Sequence, residues 1–173
     1  MIEAQAANGL RRWAENFDHV TAMAPLDTGA DLRGWVKADV LGADAAWISL
    51  VPIPIAYRPD RFVRKLRPVS RLIRAEIAAA DWLCFSLGGL FGDWGAVSAY
   101  EAHRMGRRFS VWTDRVESAV TRFAAETGHG KAALRAHLTH RPMAALEKFI
   151  IKRATLGLFH GKQTYDAYAP YSR

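Results

Sequence analysis

Residues 81–118 read DWLCFSLGGLFGDWGAVSAYEAHRMGRRFSVWTDRVES, and they carry the clearest structural pattern of the chain. It contains two short apolar or aromatic runs, 82–87 and 108–112, of the kind found in strands that are buried on both faces of a parallel sheet. Between them Ala96, Val97 and Tyr100 recur at helical spacing, and Gly106 stands where a helix C-cap prefers glycine. The stretch has about the length of a strand–helix–strand crossover, roughly 30 residues. It therefore predicts one βαβ unit.

The remaining sequence repeats this alternation in both directions. Further strands are predicted at 18–24, 47–53 and 154–159, and helices at 2–17, 116–124, 131–138 and 163–168, with another opening at Pro142. Pro68 is expected to divide a basic helix into two pieces, and no element is assigned to 27–45. Alternating strands and helices favour a parallel sheet with right-handed crossovers. We therefore expect an α/β chain forming a single Rossmann-like, three-layer domain over residues 1–173, with a mainly parallel sheet that lacks its first strand.

Length and composition exclude several classes of protein. The chain has 173 residues, of which 50% are hydrophobic and 24% charged, so it can bury one core and is not expected to be disordered. The single cysteine, Cys84, lies in an apolar strand; we expect it in the core, and no disulfide within the chain is possible. No secretory signal and no apolar run of about 20 residues is present, which favours a cytoplasmic location.

The net charge of +7 is concentrated in residues 58–74. On a continuous helix Arg64, Arg67, Arg71 and Arg74 would share one face, opposite an apolar face. This face could simply be solvated. Alternatively it could bind an anionic membrane surface or phosphate, since each basic residue near such a membrane contributes about 1 kcal/mol. Nucleic acid is not an expected partner, because no exposed aromatic residues are interleaved with the basic ones.

A glycine-rich loop follows the first strand of the βαβ unit. Gly88, Gly89, Gly92 and Gly95 precede a helix, the setting in which backbone N–H groups can hold a phosphate. Neither the dinucleotide nor the P-loop fingerprint is met. A tight turn with close backbone packing is an equally good interpretation. The loop also carries Leu90, Phe91 and Trp94, which suggest contact with an absent partner or with an apolar ligand.

Polar residues follow two other strands. Asp114 and Glu117 fit a helix cap, in which Asp114 accepts a backbone N–H and Glu117 reaches back to the cap. Beside Arg115, the same Asp114 could instead orient or deprotonate a hydroxyl group. His160 ends the last strand, either as a hydrogen-bonded turn residue or as a ligand to a hydroxyl or phosphate. No metal site is expected, because no nearby cysteine or carboxylate completes a set of metal ligands with His137 and His140.

Residues 56–173 resemble a known family. The similarity runs through YRPDRFVRKL, GGLFGDWGAVSAYEAHRMGRRFSVWTDRVES and RPMAALEKFIIKRATLGLFHGKQTYDAYAPYSR. These segments resemble the N-terminal half of bacterial group 1 glycosyltransferases of the GT-B fold, which act in polysaccharide biosynthesis. In that family the N-terminal domain binds mainly the acceptor, and a C-terminal domain binds mainly the nucleotide-sugar.

The resemblance implies a function and a site. Asp114 corresponds to a catalytic or acceptor-orienting residue, and the acceptor, a glycan or lipid-linked sugar, would contact Gly88, Gly89, Trp94, Arg115, Glu117 and His160. No cofactor is implied, because the nucleotide-sugar is a substrate. The C-terminal donor domain is expected to be absent from these 173 residues, so the chain alone should turn over little or nothing.

Two non-catalytic interpretations stay open. The chain could be an interaction module that docks a separate donor domain, or a second copy of itself, through an exposed apolar edge. It could also sit on the inner membrane as a peripheral protein through its basic helix.

Overall fold

The computed structural model describes residues 2–25, 35–36, 41–42 and 46–172. Its chain separates into two compact units, Met1–Ala56 and Tyr57–Arg173, which are described one at a time. Both contain helices and strands, and the strands are mainly parallel, which confirms the α/β, Rossmann-like class. The single domain over residues 1–173 stays a prediction.

The first unit is small. Strand β1 (Ile2–Glu3) leads into helix α1 (Ala4–Ala14), followed by β2 (Val20–Pro25), β3 (Trp35–Val36) and β4 (Ile48–Ile53). Strand β1 pairs with β3 antiparallel, and β2 pairs with β4 parallel, with Val20 opposite Ile48. Ala7, Leu41 and Ile48 form its buried core. The predicted helix over 2–17 is therefore shorter than expected, because β1 occupies its first residues.

The stretch 27–45, to which the sequence assigned no element, contains β3. The remainder of that stretch, apart from Leu41 and Gly42, lies outside the described residues.

The second unit contains the predicted βαβ region. Its elements are, in order, α2 (Pro59–Ala79), β5 (Cys84–Ser86), α3 (Trp94–Arg104), β6 (Ser110–Thr113), α4 (Glu117–Thr127), α5 (Gly130–Ile151), β7 (Leu156–Phe159), α6 (Lys162–Tyr168) and a short 3-10 helix (Ala169–Tyr171). The three strands form a parallel sheet in the order β5–β6–β7. Cys84, Ser110 and Leu156 lie side by side at its start.

Helices cover one face of this sheet. Ile73 of α2, Val111 of β6 and Ile150 and Ile151 of α5 are almost completely buried. The guanidinium group of Arg107, just before β6, donates a hydrogen bond of 2.7 Å to the carbonyl of Ile77 in the last turn of α2. This bond ties the end of a helix to the start of the central strand.

The other face of the sheet is exposed. Side chains alternate along a strand, so this face carries Trp112, Leu156 and Leu158, which are 43%, 52% and 37% exposed. Cys84 lies on the same face and is exposed, so its expected place in the core was wrong. The strands are therefore buried on one face of the sheet, and the prediction that they are buried on both faces was wrong.

Two prolines lie inside helices. Pro68 does not divide α2, and Pro142 does not open a new helix, because α5 runs through it as one piece. A proline removes one helical N–H and frees the carbonyl four residues earlier. Those carbonyls belong to Arg64 and Leu138, both exposed residues, so water can take the place of the lost bond. The two predicted helix breaks were therefore wrong.

Candidate functional site

The carboxyl ends of β5, β6 and β7 meet at one edge of the sheet, as the parallel order requires. Asp114 follows the central strand and is exposed. The Thr113 hydroxyl donates to the carbonyl of Arg115 at 2.8 Å, and the Thr164 hydroxyl donates to the carbonyl of Asp114 at 3.3 Å. The backbone N–H of His160 donates to the carbonyl of Thr113 at 3.0 Å. The turn is thus fixed on both sides, while the Asp114 carboxylate has no hydrogen bond to any residue described.

The predicted cap at this turn is not formed. Helix α4 begins at Glu117, and its N-cap residue, Val116, makes no side-chain hydrogen bond. Glu117 instead forms an ion pair with Arg115. The interpretation of Asp114 and Glu117 as a capping box was therefore wrong, because the cap residue is Val116 and Glu117 is paired with Arg115.

A carboxylate from another helix caps α4. Glu147, on α5, accepts hydrogen bonds from the backbone N–H of Ser118 at 2.9 Å and from the Ser118 hydroxyl at 2.6 Å. It also shares a hydrogen bond with Tyr168 of α6. A helix N-terminus has free N–H groups and a partial positive charge, both of which suit a carboxylate. Glu147 therefore joins three helices beside the Asp114 turn.

Burial sets the electrostatics of this cluster. The Glu147 residue is 6% exposed, and burial raises the pKa of its carboxyl above the ordinary value, while the hydrogen bonds from Ser118 and Tyr168 oppose that rise. Tyr168 is 4% exposed, and burial together with the Glu147 carboxylate raises the pKa of its hydroxyl. Tyr168 therefore stays a neutral donor to Glu147.

Sequence reasoning missed Glu147, although a signal was present. The buried positions of α5 include Met143, Glu147, Ile150 and Ile151, at the spacing of one helix face. Glutamate is rarely buried without a partner, so a glutamate on the apolar face indicates a buried polar contact. The sequence does not say which residue makes that contact.

The glycine-rich loop is occupied by its own aspartate. The Asp93 carboxylate accepts hydrogen bonds from the N–H groups of Gly88 at 3.0 Å, Gly89 at 3.2 Å and Ala96 at 3.0 Å. Burial raises the pKa of Asp93, and these bonds oppose the rise. The N–H groups of Gly88 and Gly89 that a phosphate would need are therefore already used, which corrects the interpretation of the loop as a phosphate site.

Gly95 and Trp94 have packing roles. A Cβ atom on Gly95 would lie 1.9 Å from the backbone oxygen of Ser86, so only glycine lets α3 approach β5 this closely. Trp94 is 4% exposed, and its ring lies 5.0 Å from that of Phe62, between centroids. Phe91 also meets Phe62, edge to face at 6.1 Å. The expected contact of Trp94 with a ligand is not available, because α2 covers its ring.

The cavity at this edge is small. It lies beside Gly88, Gly89, Asp93 and Glu147 and has a volume of about 10 Å³. That is room for about one water molecule. A larger ligand does not fit inside this cavity.

Two further expectations concern metals and membranes. Within residues 2–25, 35–36, 41–42 and 46–172, no three His, Cys, Asp or Glu side chains are grouped as metal ligands. The His137 and His140 rings are neighbours, with centroids 5.8 Å apart, and form only a pair.

None of the helices described is both long and apolar enough to span a bilayer.

Comparisons with known proteins do not assign a family. No protein-family model matches the sequence, no curated protein matches it, and no solved structure matches the fold.

Proposed function

We propose that the Tyr57–Arg173 unit binds the acceptor in a glycosyltransferase reaction, in which a sugar passes from a nucleotide-sugar to a glycan or lipid-linked acceptor of polysaccharide biosynthesis. One observation carries the proposal. The Asp114 carboxylate is exposed at the carboxyl end of the central strand, where ligands bind in open α/β sheets, and its backbone is held by hydrogen bonds on both sides.

Glycosyl transfer needs an exposed carboxylate that is held in place near the acceptor. An acceptor hydroxyl must be oriented and must lose its proton as it attacks the sugar, and an available carboxylate can accept that proton. Glu117 is less available, because it is paired with Arg115. Charge developing on the leaving nucleotide diphosphate would be stabilised by a donor-side domain. The direct test is therefore acceptor binding and not turnover.

The test is an NMR titration of the 173-residue protein. The probes are octyl glucoside and octyl galactoside, below their micelle concentrations, as lipid-linked acceptors, and UDP-glucose as a donor. We expect the alkyl glycosides to shift the amide signals of Asp114, Arg115 and His160, and UDP-glucose to leave them unchanged.

The matched variants are Asp114→Asn and Asp81→Asn. Asp81 is also exposed but precedes β5, at the opposite edge of the sheet. Asp114→Asn should weaken glycoside binding several-fold, and Asp81→Asn should not change it. Unchanged binding to Asp114→Asn, or glycosyl transfer by the chain alone, would contradict the proposal.

Helix α2 supports a second candidate function, binding to an anionic membrane surface. Arg67 and Arg71 are exposed and have no ion pair among the residues described. Arg64 is exposed but pairs with Asp60 at 2.8 Å. Arg74 faces α3 and lies 3.6 Å from the buried carboxylate of Glu101, so it is not part of the exposed basic face.

This second function is tested with vesicles of phosphatidylcholine, with and without phosphatidylglycerol. The double variant Arg67→Gln/Arg71→Gln should bind anionic vesicles roughly 30-fold more weakly, at about 1 kcal/mol for each residue. The control is Lys131→Gln/Lys152→Gln, which removes two exposed charges from the ends of α5. Binding that is absent, or that does not fall as salt is added, would exclude the membrane function.

A further inference from the structure

A broad groove lies in the Met1–Ala56 unit, between the end of α1 and the start of β4. It has a volume of about 390 Å³ and is lined by Ala14, Glu15, Asn16, Phe17, Asp18 and Trp47. Sites for small ligands have volumes of roughly 300–1,000 Å³. The groove is therefore large enough for a small molecule.

The lining of this groove is acidic, although the chain as a whole is basic. The protein has a net charge of +7, yet the described lining contains the carboxylates of Glu15 and Asp18 and no lysine or arginine. Glu15 is paired with the Arg12 guanidinium at 3.2 Å. The Asp18 carboxylate is exposed and has no ion pair or hydrogen bond among the residues described. One uncompensated negative charge therefore faces a ligand in the groove.

The end of helix α1 adds to this negative potential. The helix ends at Ala14, which is part of the lining. The C-terminus of a helix carries a partial negative charge, which favours a cation nearby. Arg11 and Arg12, in the last turn, offset part of that charge, but neither of them lines the groove. Arg12 is held by Glu15, and Arg11 donates to the Asn8 side chain at 3.4 Å.

Trp47 forms an aromatic wall of the groove. Its side chain is largely in solvent, since the residue is 58% exposed. Its backbone is fixed, because the Trp47 carbonyl accepts a hydrogen bond of 2.8 Å from the N–H of Val20. Phe17 supplies a second ring and is stacked on Trp13 with ring centroids 5.5 Å apart. The face of a tryptophan ring attracts a cation more strongly than any other aromatic side chain does, so these rings favour a positively charged ligand.

The polar side chains available in the groove are hydrogen-bond acceptors. Asn16 uses its Nδ2 to bond the carbonyl of Arg12 at 2.9 Å, which leaves its Oδ1 as an acceptor. The ionised carboxylate of Asp18 only accepts. An ammonium group carries N–H donors and no acceptor, so it complements both side chains.

We propose that this groove binds a small organic cation, an alkylammonium ion, with the ammonium group over the Trp47 ring and its N–H groups donating to Asp18 and Asn16. A neutral ligand of the same shape would contact the ring without the electrostatic attraction, and an anion would be repelled by Asp18. Because the groove is open to water and salt, we expect a dissociation constant in the millimolar range. The site shares no residue with the Asp114 edge and does not depend on the proposed transferase function.

The experiment is an NMR titration of the full 173-residue protein, with the indole N–H signal of Trp47 as the readout. The probe is butylammonium chloride, which replaces sodium chloride at constant ionic strength. The matched ligand is 1-butanol, which has the same chain and no charge. We expect butylammonium to shift the Trp47 signal until it saturates, and 1-butanol to leave it nearly unchanged. Raising the total salt concentration should weaken butylammonium binding.

Two variants test the two parts of the site, and binding to them is followed by the backbone amide signal of Asn16. Asp18→Asn removes the charge and keeps the size, and it should weaken butylammonium binding about two- to fivefold. Trp47→Leu keeps an apolar side chain without a ring, and it should weaken binding by a similar factor. If Trp47→Leu does not fold, Asp18→Asn and the titration of the unmodified protein still decide the matter.

The control variants lie in the other unit. Asp81 and Trp82 are a second exposed aspartate beside a tryptophan, which is 79% exposed, and neither residue lines the groove. Asp81→Asn and Trp82→Ala should leave the shift of the Trp47 signal unchanged. This pair separates binding in the groove from a general attraction of the cation to exposed carboxylates and rings.

Three outcomes would overturn the proposal. One is that butylammonium at tens of millimolar does not shift the Trp47 signal. Another is that 1-butanol shifts the signal as strongly as butylammonium does, which would make the groove an uncharged apolar site. The third is that Asp18→Asn binds butylammonium as tightly as the unmodified protein, because the Asp18 charge would then have no part in binding.

Discussion

Replacing Glu147 with alanine should destabilise the Tyr57–Arg173 unit. The Glu147 carboxylate accepts two hydrogen bonds from Ser118, at 2.9 and 2.6 Å, and one from Tyr168. After Glu147→Ala the Ser118 groups can regain water, because that residue is only partly buried. Tyr168, which is 4% exposed, loses the carboxylate beside it.

The expected size of the effect follows from these contacts. A hydrogen bond to a charged group contributes about 1.5–3 kcal/mol, and Ser118 makes two of them to Glu147. Removing the buried carboxylate also relieves its desolvation, which offsets part of the loss. The net decrease in the free energy of unfolding should be about 3 kcal/mol, which is a large part of the stability of a typical domain.

Urea denaturation followed by circular dichroism measures this quantity. The midpoint should fall while the slope against urea stays constant. Glu126→Ala is the matched control, since Glu126 is an exposed glutamate on α4 that lies 3.8 Å from Arg122 in an exposed ion pair. Such pairs contribute about 0–1 kcal/mol. If Glu147→Ala costs no more than Glu126→Ala, the carboxylate does not hold the three helices together.

Three other predictions follow from the same region. Burial raises the pKa of the Glu147 carboxyl above its ordinary value of 4.5, so folding favours the protonated form. The part of the stability that depends on this protonation is present below pH 4.5 and is lost as the pH rises through the folded-state pKa, whereas the hydrogen bonds from Ser118 remain. The advantage of the natural protein over Glu147→Gln in urea melts should therefore shrink from pH 4.5 upward, and a constant difference would refute this. Gly95→Ala should lower the free energy of unfolding by about 2 kcal/mol, because the added Cβ would meet the β5 backbone. Gly89→Ala is the control and should be nearly neutral, because the space around its Cβ is open. Equal melting temperatures for the two variants would contradict this prediction. Asp93→Ala removes the acceptor for three backbone N–H groups and should cost about 2 kcal/mol in thermal unfolding, and Asp93→Asn should recover part of the loss.

The sequence predicted those parts of the fold that depend on local periodicity. Apolar runs near 82–87 and 108–112, with a helical pattern between them, became β5, α3 and β6 of one parallel sheet. Gly106 adopts a φ of +67° after α3, as its position predicted. These features depend on residues close together in the chain, and a linear pattern carries that information.

The helix breaks predicted at the two prolines were wrong for a physical reason. Pro68 and Pro142 predicted breaks, yet α2 and α5 continue through them. A proline can stay within a helix when the carbonyl that it frees can reach water. Whether that carbonyl reaches water depends on how the helix packs, and the helix packing is set by the other elements of the unit.

The sequence alone determined the α/β class, the βαβ unit and the position of Asp114 after its central strand, because each follows from periodicity and chain order. The tertiary structure decided how the polar groups are paired. It placed Glu147 on the N-terminus of α4, 29 residues away in sequence, and Asp93 on the glycine loop, and it brought Trp47 beside the end of α1. Contacts between distant residues form only when the packed helices and strands bring them within hydrogen-bonding distance, which no local pattern records.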